Sequence, residues 1–203
     1  MNEYKREMFQ FLTQRENFET MAEIVDQYES VAETLVAEFW MIVKDTCIRK
    51  LNESSLDDWT VSLDKDVFST YSKLSLYKTT WKVYSNEPII GIVIEKLARN
   101  PYYGLWLNRN NKAPWDLSKI KSEFRKNKPE NFNADNHEWW AFYLETHYNF
   151  MKSSSLKNII PERRDETADN IASDVMVLVK ELNAQYIPAI NSILQTDSIS
   201  LLR

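Results

Sequence analysis

The chain is poor in the residues that compact catalytic and nucleotide-binding motifs depend on. Among its 203 residues are two glycines, two histidines and one cysteine. Loops that cradle phosphate need several glycines so that the backbone can close on the anion, so P-loop and dinucleotide-binding folds are excluded. No Gly-x-Ser-x-Gly elbow is present, and Cys47 lies within a helical pattern as a small hydrophobe, which leaves no activated nucleophile in view. His137 and His147 match no spacing that specifies a metal site. No catalytic residue, metal ligand or cofactor is therefore expected. One cysteine can form no internal disulfide, and the start of the chain is mixed in charge with no apolar segment behind it. The longest apolar runs, Ile89–Ile94 and Trp139–Leu144, are too short to cross a bilayer. A cytoplasmic protein with no membrane partner is the expectation.

Large side chains are plentiful: seven Trp, ten Tyr and nine Phe give an aromatic share of 13%, within a hydrophobic share of 43%. A chain of this length and composition can bury a core and reads as one domain. Charge is unevenly spread. Residues 1–58 hold 6 Lys/Arg against 13 Asp/Glu, residues 59–128 hold 13 against 6, and residues 129–203 hold 6 against 11. A basic centre thus lies between two acidic ends. Either the acidic helices cover it, or a basic surface stays open to a polyanion or an acidic partner.

Periodicity predicts α+β. After a short helix over 3–15, with Asn17 as N-cap of the next, apolar residues run from Phe18 to about Leu51 in alternating steps of three and four, with no Gly or Pro. This is one helix with one continuous apolar face, about 50 Å long, and it either projects or holds a partner helix. Period-two stretches follow at 59–63 and 71–78, then the doubly apolar 89–94, then 102–107. They lie too close together for crossover helices, which favours an antiparallel meander with Ile89–Ile94 at its centre. Gly91 and Gly104 fall inside strands and are expected to face one another, leaving room for a bulky aromatic from a covering helix. Asp116 caps a short helix over 117–126, residues 137–145 make a fifth strand, and a last helix runs from about Glu162 to Tyr186 before Pro188. The expected architecture is an antiparallel sheet of about five strands flanked by a long N-terminal and a long C-terminal helix. Residues 1–56 form a helical arm, 57–145 the sheet with one inserted helix, and 156–203 the C-terminal helices.

The pair Glu95-Lys96 ends the most buried strand. A two-metal nuclease needs a strand-borne acid and then Glu-x-Lys. Here the two residues are adjacent, so strand alternation sends them to opposite faces, and they read as strand-end polar residues. Yet the order of "DDWTVSL" (57–63), "YSKLSLYKTTWK" (71–82), "IIGIVIEKL" (89–97), "NPYYGLWL" (100–107) and "EWWAFYL" (138–144) resembles the region that follows the catalytic core in bacterial and phage PD-(D/E)XK nuclease-superfamily proteins. The resemblance spans roughly residues 20–185 and rests on aromatic spacing. It implies an accessory domain that recognises rather than cuts, in a phage-defence or mobile-element setting, and it carries over no catalytic residue.

Two functions are expected from the sequence. The first is a non-enzymatic interaction domain with a protein partner or a second copy, contacting it around Trp106, Arg109, Lys112 and Trp115, since exposed Trp and Arg dominate hot spots. The second is nucleic-acid binding through Lys119, Lys121, Arg125, Lys126 and Lys128, with aromatics stacked on unpaired bases.

Overall fold

A computed structural model describes residues 3–83, 87–109, 117–126, 128–134 and 137–186. The chain opens with α1 (Glu3–Leu12) and α2 (Arg15–Glu53), the latter a single helix of 39 residues and so roughly 58 Å long. Nothing in its sequence breaks it. Its N-cap is Gln14, which makes no side-chain capping bond. Asn17, expected in that role, is instead inside the first turn, where its Nδ2 donates to the Phe11 carbonyl at 2.9 Å and ties α1 to α2. The helix is two-natured. Val36, Phe39, Trp40, Val43, Cys47 and Leu51 are buried, whereas no residue before Val36 is.

The strands are β1 (Trp59–Leu63), β2 (Lys73–Lys78), β3 (Lys82–Val83), β4 (Glu87–Pro88), β5 (Ile90–Glu95) and β6 (Tyr102–Leu107); after α3 (Leu117–Lys126) comes β7 (Trp140–Glu145). Five of them form an antiparallel sheet in the order β1-β2-β5-β6-β7, and β3 and β4 make a separate two-residue ladder. The central strand is β5, buried at all six positions, as a doubly apolar run requires. The chain then forms α4 (Ser153–Leu156) and α5 (Arg164–Glu181), which continues through a π turn at Leu182–Tyr186. The fold is α+β, with an antiparallel five-stranded sheet, a long N-terminal helix and a long C-terminal helix. Pro188 and the apolar residues after it lie outside the described residues, as does Asp116.

One face of the sheet holds the core. Leu74, Leu76, Ile90, Ile92, Ile94, Leu105 and Leu107 share it with the buried residues of α2 and with Ile171, Ala172, Val175, Met176 and Val179 of α5. Trp40 is the keystone: fully buried, it packs edge-on against Phe39 and Phe150, and its indole N–H donates to the Leu97 carbonyl at 3.0 Å. At the surface Asp169 of α5 accepts from Lys50 at 2.8 Å and Arg49 at 3.0 Å of α2, and Lys50 above all holds its carboxyl below the ordinary range. Such exposed pairs contribute little to stability.

Burial pushes the Cys47 thiol up from about 9 to about 12, with Lys50 opposing weakly. A raised thiol pKa means that the native state keeps this proton while the unfolded chain releases it, so Cys47 weighs against the native state as pH rises from about 9 towards 12. Since the thiolate is the nucleophile, Cys47 is expected not to react with an aromatic disulfide reagent at pH 8 in the native protein, and to react within seconds in denaturant. Fast native-state labelling would show that the helix pair opens there.

The glycines depart from expectation. The strands β5 and β6 are neighbours, but Gly91 pairs with Trp106 and Gly104 with Val93, so the glycines sit diagonally on one face, and it is the face away from the helices. No helix side chain fills the space. A Cβ on Gly104 would lie 2.2 Å from the Phe142 carbonyl oxygen and 2.7 Å from the Tyr143 Cα, and one on Gly91 would lie 3.1 Å from the Leu76 carbonyl oxygen. The neighbouring strand backbones themselves take up the room. At Gly104 this follows from the register shift of β7 beside Leu105 and Trp106, where a bulge bends one strand over the other.

Candidate functional site: the open face of the sheet

Alternation sends a second set of side chains to the face that no described helix covers, and the register lines them up in three rows. The first is Lys73, Glu95, Tyr102 and Glu145, the second Ser75, Val93, Gly104 and Tyr143, and the third Tyr77, Gly91, Trp106 and Trp140. Val93, Trp106 and Trp140 form a small buried cluster of their own, with Tyr102, Trp139 and Tyr143 packed around it. The rings meet as aromatic quadrupoles prefer: Tyr102 stands edge-on to Trp140 at 5.1 Å, and Trp139 stacks on Trp106 at 5.9 Å with 18° between planes. The Lys73 ammonium lies 4.4 Å from the centroid of the Trp106 ring, and that of Lys96 lies 5.4 Å from Tyr102, both cation–π contacts.

These residues wall a groove of about 600 Å³ that also touches Tyr71, Asn108 and His137. A second depression of about 390 Å³, sharing Lys96, Tyr102 and His137, extends it to Arg99, Asn100 and Thr146. One end is thus aromatic and the other polar and basic.

Glu95 is 6% exposed, and the Tyr102 hydroxyl donates to its carboxyl. Burial first, and then that bond, hold the Tyr102 phenol far above its ordinary pKa, so it stays a donor. Lys96 corrects the reading by alternation. Its backbone has φ 59°, a left-handed residue that ends the strand, so it does not follow strand geometry and lines the same groove as Glu95. His137 accepts the Trp139 backbone N–H at Nδ1 (3.3 Å). Among the described residues the buried indole N–H groups of Trp59, Trp81 and Trp140 have no hydrogen-bond partner.

No family model, curated protein or solved structure matches this chain.

The residues singled out in the sequence do not gather into one site. Trp106 is 4% exposed, a wall of the groove rather than a projecting anchor, because Lys73 and Trp139 cover it. Arg109 is exposed and lies 3.5 Å from Glu138. Lys112 and Trp115 are outside the described residues. On α3, Lys121 donates to the His137 and Glu138 carbonyls and Arg125 to the Ala141 carbonyl at 3.2 Å, which fastens the helix to β7. Lys126 pairs with Glu123 at 3.1 Å, Lys128 reaches the Glu130 carbonyl at 3.5 Å, and Lys119 is exposed. Two of these five basic residues, Lys121 and Arg125, thus hold the helix in place. Lys73, Glu95, Lys96, Tyr102, Asn108, Trp139 and Trp140, which make the groove, come from four separate stretches of chain. The signal for them was the alternation, since Lys73, Ser75, Glu95, Tyr102 and Trp106 fall on the same side of their strands.

Among the described residues, no group of three or more His, Cys, Asp or Glu side chains is placed to hold a metal ion, and no helix is long and apolar enough to cross a membrane.

Proposed function

We propose that this chain is a non-enzymatic recognition domain that binds with the open face of its sheet, and that the ligand class suited to this face is single-stranded nucleic acid. The observation that carries the reading is one groove combining half-buried aromatic rings with the cations Lys73, Lys96 and Arg99. Unpaired bases stack on such rings and phosphates meet such cations. Glu95 and Tyr102 are engaged with one another, so they serve as floor and not as reacting groups. On this reading the chain works beside a catalytic partner, as the resemblance to nuclease accessory regions implies.

The test is a titration of a labelled 12-nucleotide DNA strand, followed by anisotropy across a salt series. Trp139 is half-buried and rests on the surface of the cluster, so Trp139→Ala is expected to preserve the fold and to weaken binding by about 1–3 kcal/mol. Lys96→Ala is expected to lower the slope of log K against log salt by about one. If the strand fails to bind at low salt, the reading is wrong. If binding survives both changes but is lost with Lys119→Ala and Lys126→Ala, α3 is the contact surface instead.

A further inference from the structure

The first half of α2 has a surface that no other described element covers. Ile24, Val25 and Val31 are 61, 65 and 54% exposed, and Phe18 and Tyr28 are exposed with them. Phe18, Val25 and Tyr28 follow at helical spacing in line with the buried stripe that begins at Val36, and Ile24 and Val31 widen this apolar surface on one side. The preceding helix does not cover it: α1 has no buried residue, and its own Phe9 and Phe11 are exposed. Apolar area of this extent on a soluble helix marks an interaction surface.

Charge decides the occupant. From residue 16 to residue 43 the helix contains seven acids (Glu16, Glu19, Glu23, Asp26, Glu29, Glu33 and Glu38) and no Lys or Arg. The one cation at its start, Arg15, is bound to Glu19 at 3.1 Å. A second copy laid along this stripe, parallel or antiparallel, would place acid beside acid along the whole seam, which opposes pairing. A helix with apolar residues on one face and Lys or Arg beside them meets the opposite situation. Where the arm joins the body there is also a pocket of about 320 Å³, walled by Val25, Tyr28, Val36 and Phe150 with Glu29 and Glu33 at hand. It suits an apolar side chain that has a cation one turn away.

We infer that the exposed stripe of α2 is the docking site for a basic amphipathic helix of a partner protein. The stripe and the groove lie on different elements, so this inference stands independently of the ligand proposed for the sheet.

The probes are two synthetic 21-residue amphipathic helices with the same leucine face, one flanked by lysine and the other by glutamate, each titrated against the full chain at low and moderate salt. The lysine peptide is expected to bind at least about tenfold more tightly, with the difference shrinking as salt rises. Val25→Ser with Val31→Ser, both at exposed positions, should weaken it about tenfold while circular dichroism stays unchanged. Glu23→Lys, Asp26→Lys and Glu29→Lys together should reverse the preference between the peptides. Equal binding of the two peptides, or indifference to both sets of substitutions, overturns the inference. So does sedimentation of the chain alone as a dimer that the serine substitutions split, since the stripe would then belong to a second copy.

Discussion

Gly104→Ala is expected to destabilise the protein by roughly 3 kcal/mol or more, at the upper end of what overpacking costs. The methyl would stand 2.2 Å from the Phe142 carbonyl oxygen and 2.7 Å from the Tyr143 Cα. Both are backbone atoms, so no side chain can swing away. Relief requires β7 to move, and β7 is held on both sides. It pairs with β6 along five residues, and its outer edge is bound at Tyr143 by mutual bonds to Asn133 at 2.8 and 2.9 Å and at Ala141 by Arg125. Net stabilities are about 5–15 kcal/mol, so this one methyl removes a large fraction. The control is Gly91→Ala, where the nearest atom is at 3.1 Å and a shift of a few tenths of an ångström suffices; about 1 kcal/mol is expected there. Urea denaturation of the two variants gives the comparison. Equal losses would mean that β7 yields to the methyl, and that the close approach at Gly104 is not what calls for glycine there.

Trp40→Ala is expected to cost about 3–5 kcal/mol. The indole is fully buried between Phe39 and Phe150, and its removal leaves a large cavity where α2 meets the sheet. It also leaves the Leu97 carbonyl without the donor that reaches it at 3.0 Å, an additional penalty of about 1–3 kcal/mol for a buried acceptor. Trp40→Phe restores most of the volume but not the hydrogen bond, so it should fall between the two. If phenylalanine proves as damaging as alanine, the hydrogen bond and not the packing fixes α2 to the turn after β5.

Much of this architecture could be read in the sequence, because the elements obey clean periods. The 3.6-residue pattern from Phe18 onward marks α2, and the apolar run ending at Ile94 marks the central strand. Periodicity did not show how far the α2 stripe is covered, because spacing says which residues share a face and is silent about what lies against it. The groove was hidden for another reason. Its walls come from residues 71–73, 95–96, 102–108 and 137–140, which only the register of the sheet brings together. Glu95 and Lys96 were visible as a pair but misread, since alternation fails at a left-handed residue. In the basic run of α3, Lys121 donates to carbonyls just before β7 and Arg125 to one within it, contacts that spacing along the helix does not show.

The unbroken course of α2 has a geometric consequence of its own. No glycine, proline or π turn separates its exposed half from the half beneath the sheet, so the azimuth of the outer stripe about the helix axis is set by residue count alone. Each residue added or removed between Val31 and Val36 rotates that stripe by about 100° relative to the body, and seven residues return it to within about 20°. The helix is a phase gauge: the direction in which the arm presents its apolar side is encoded in the number of residues before the core begins.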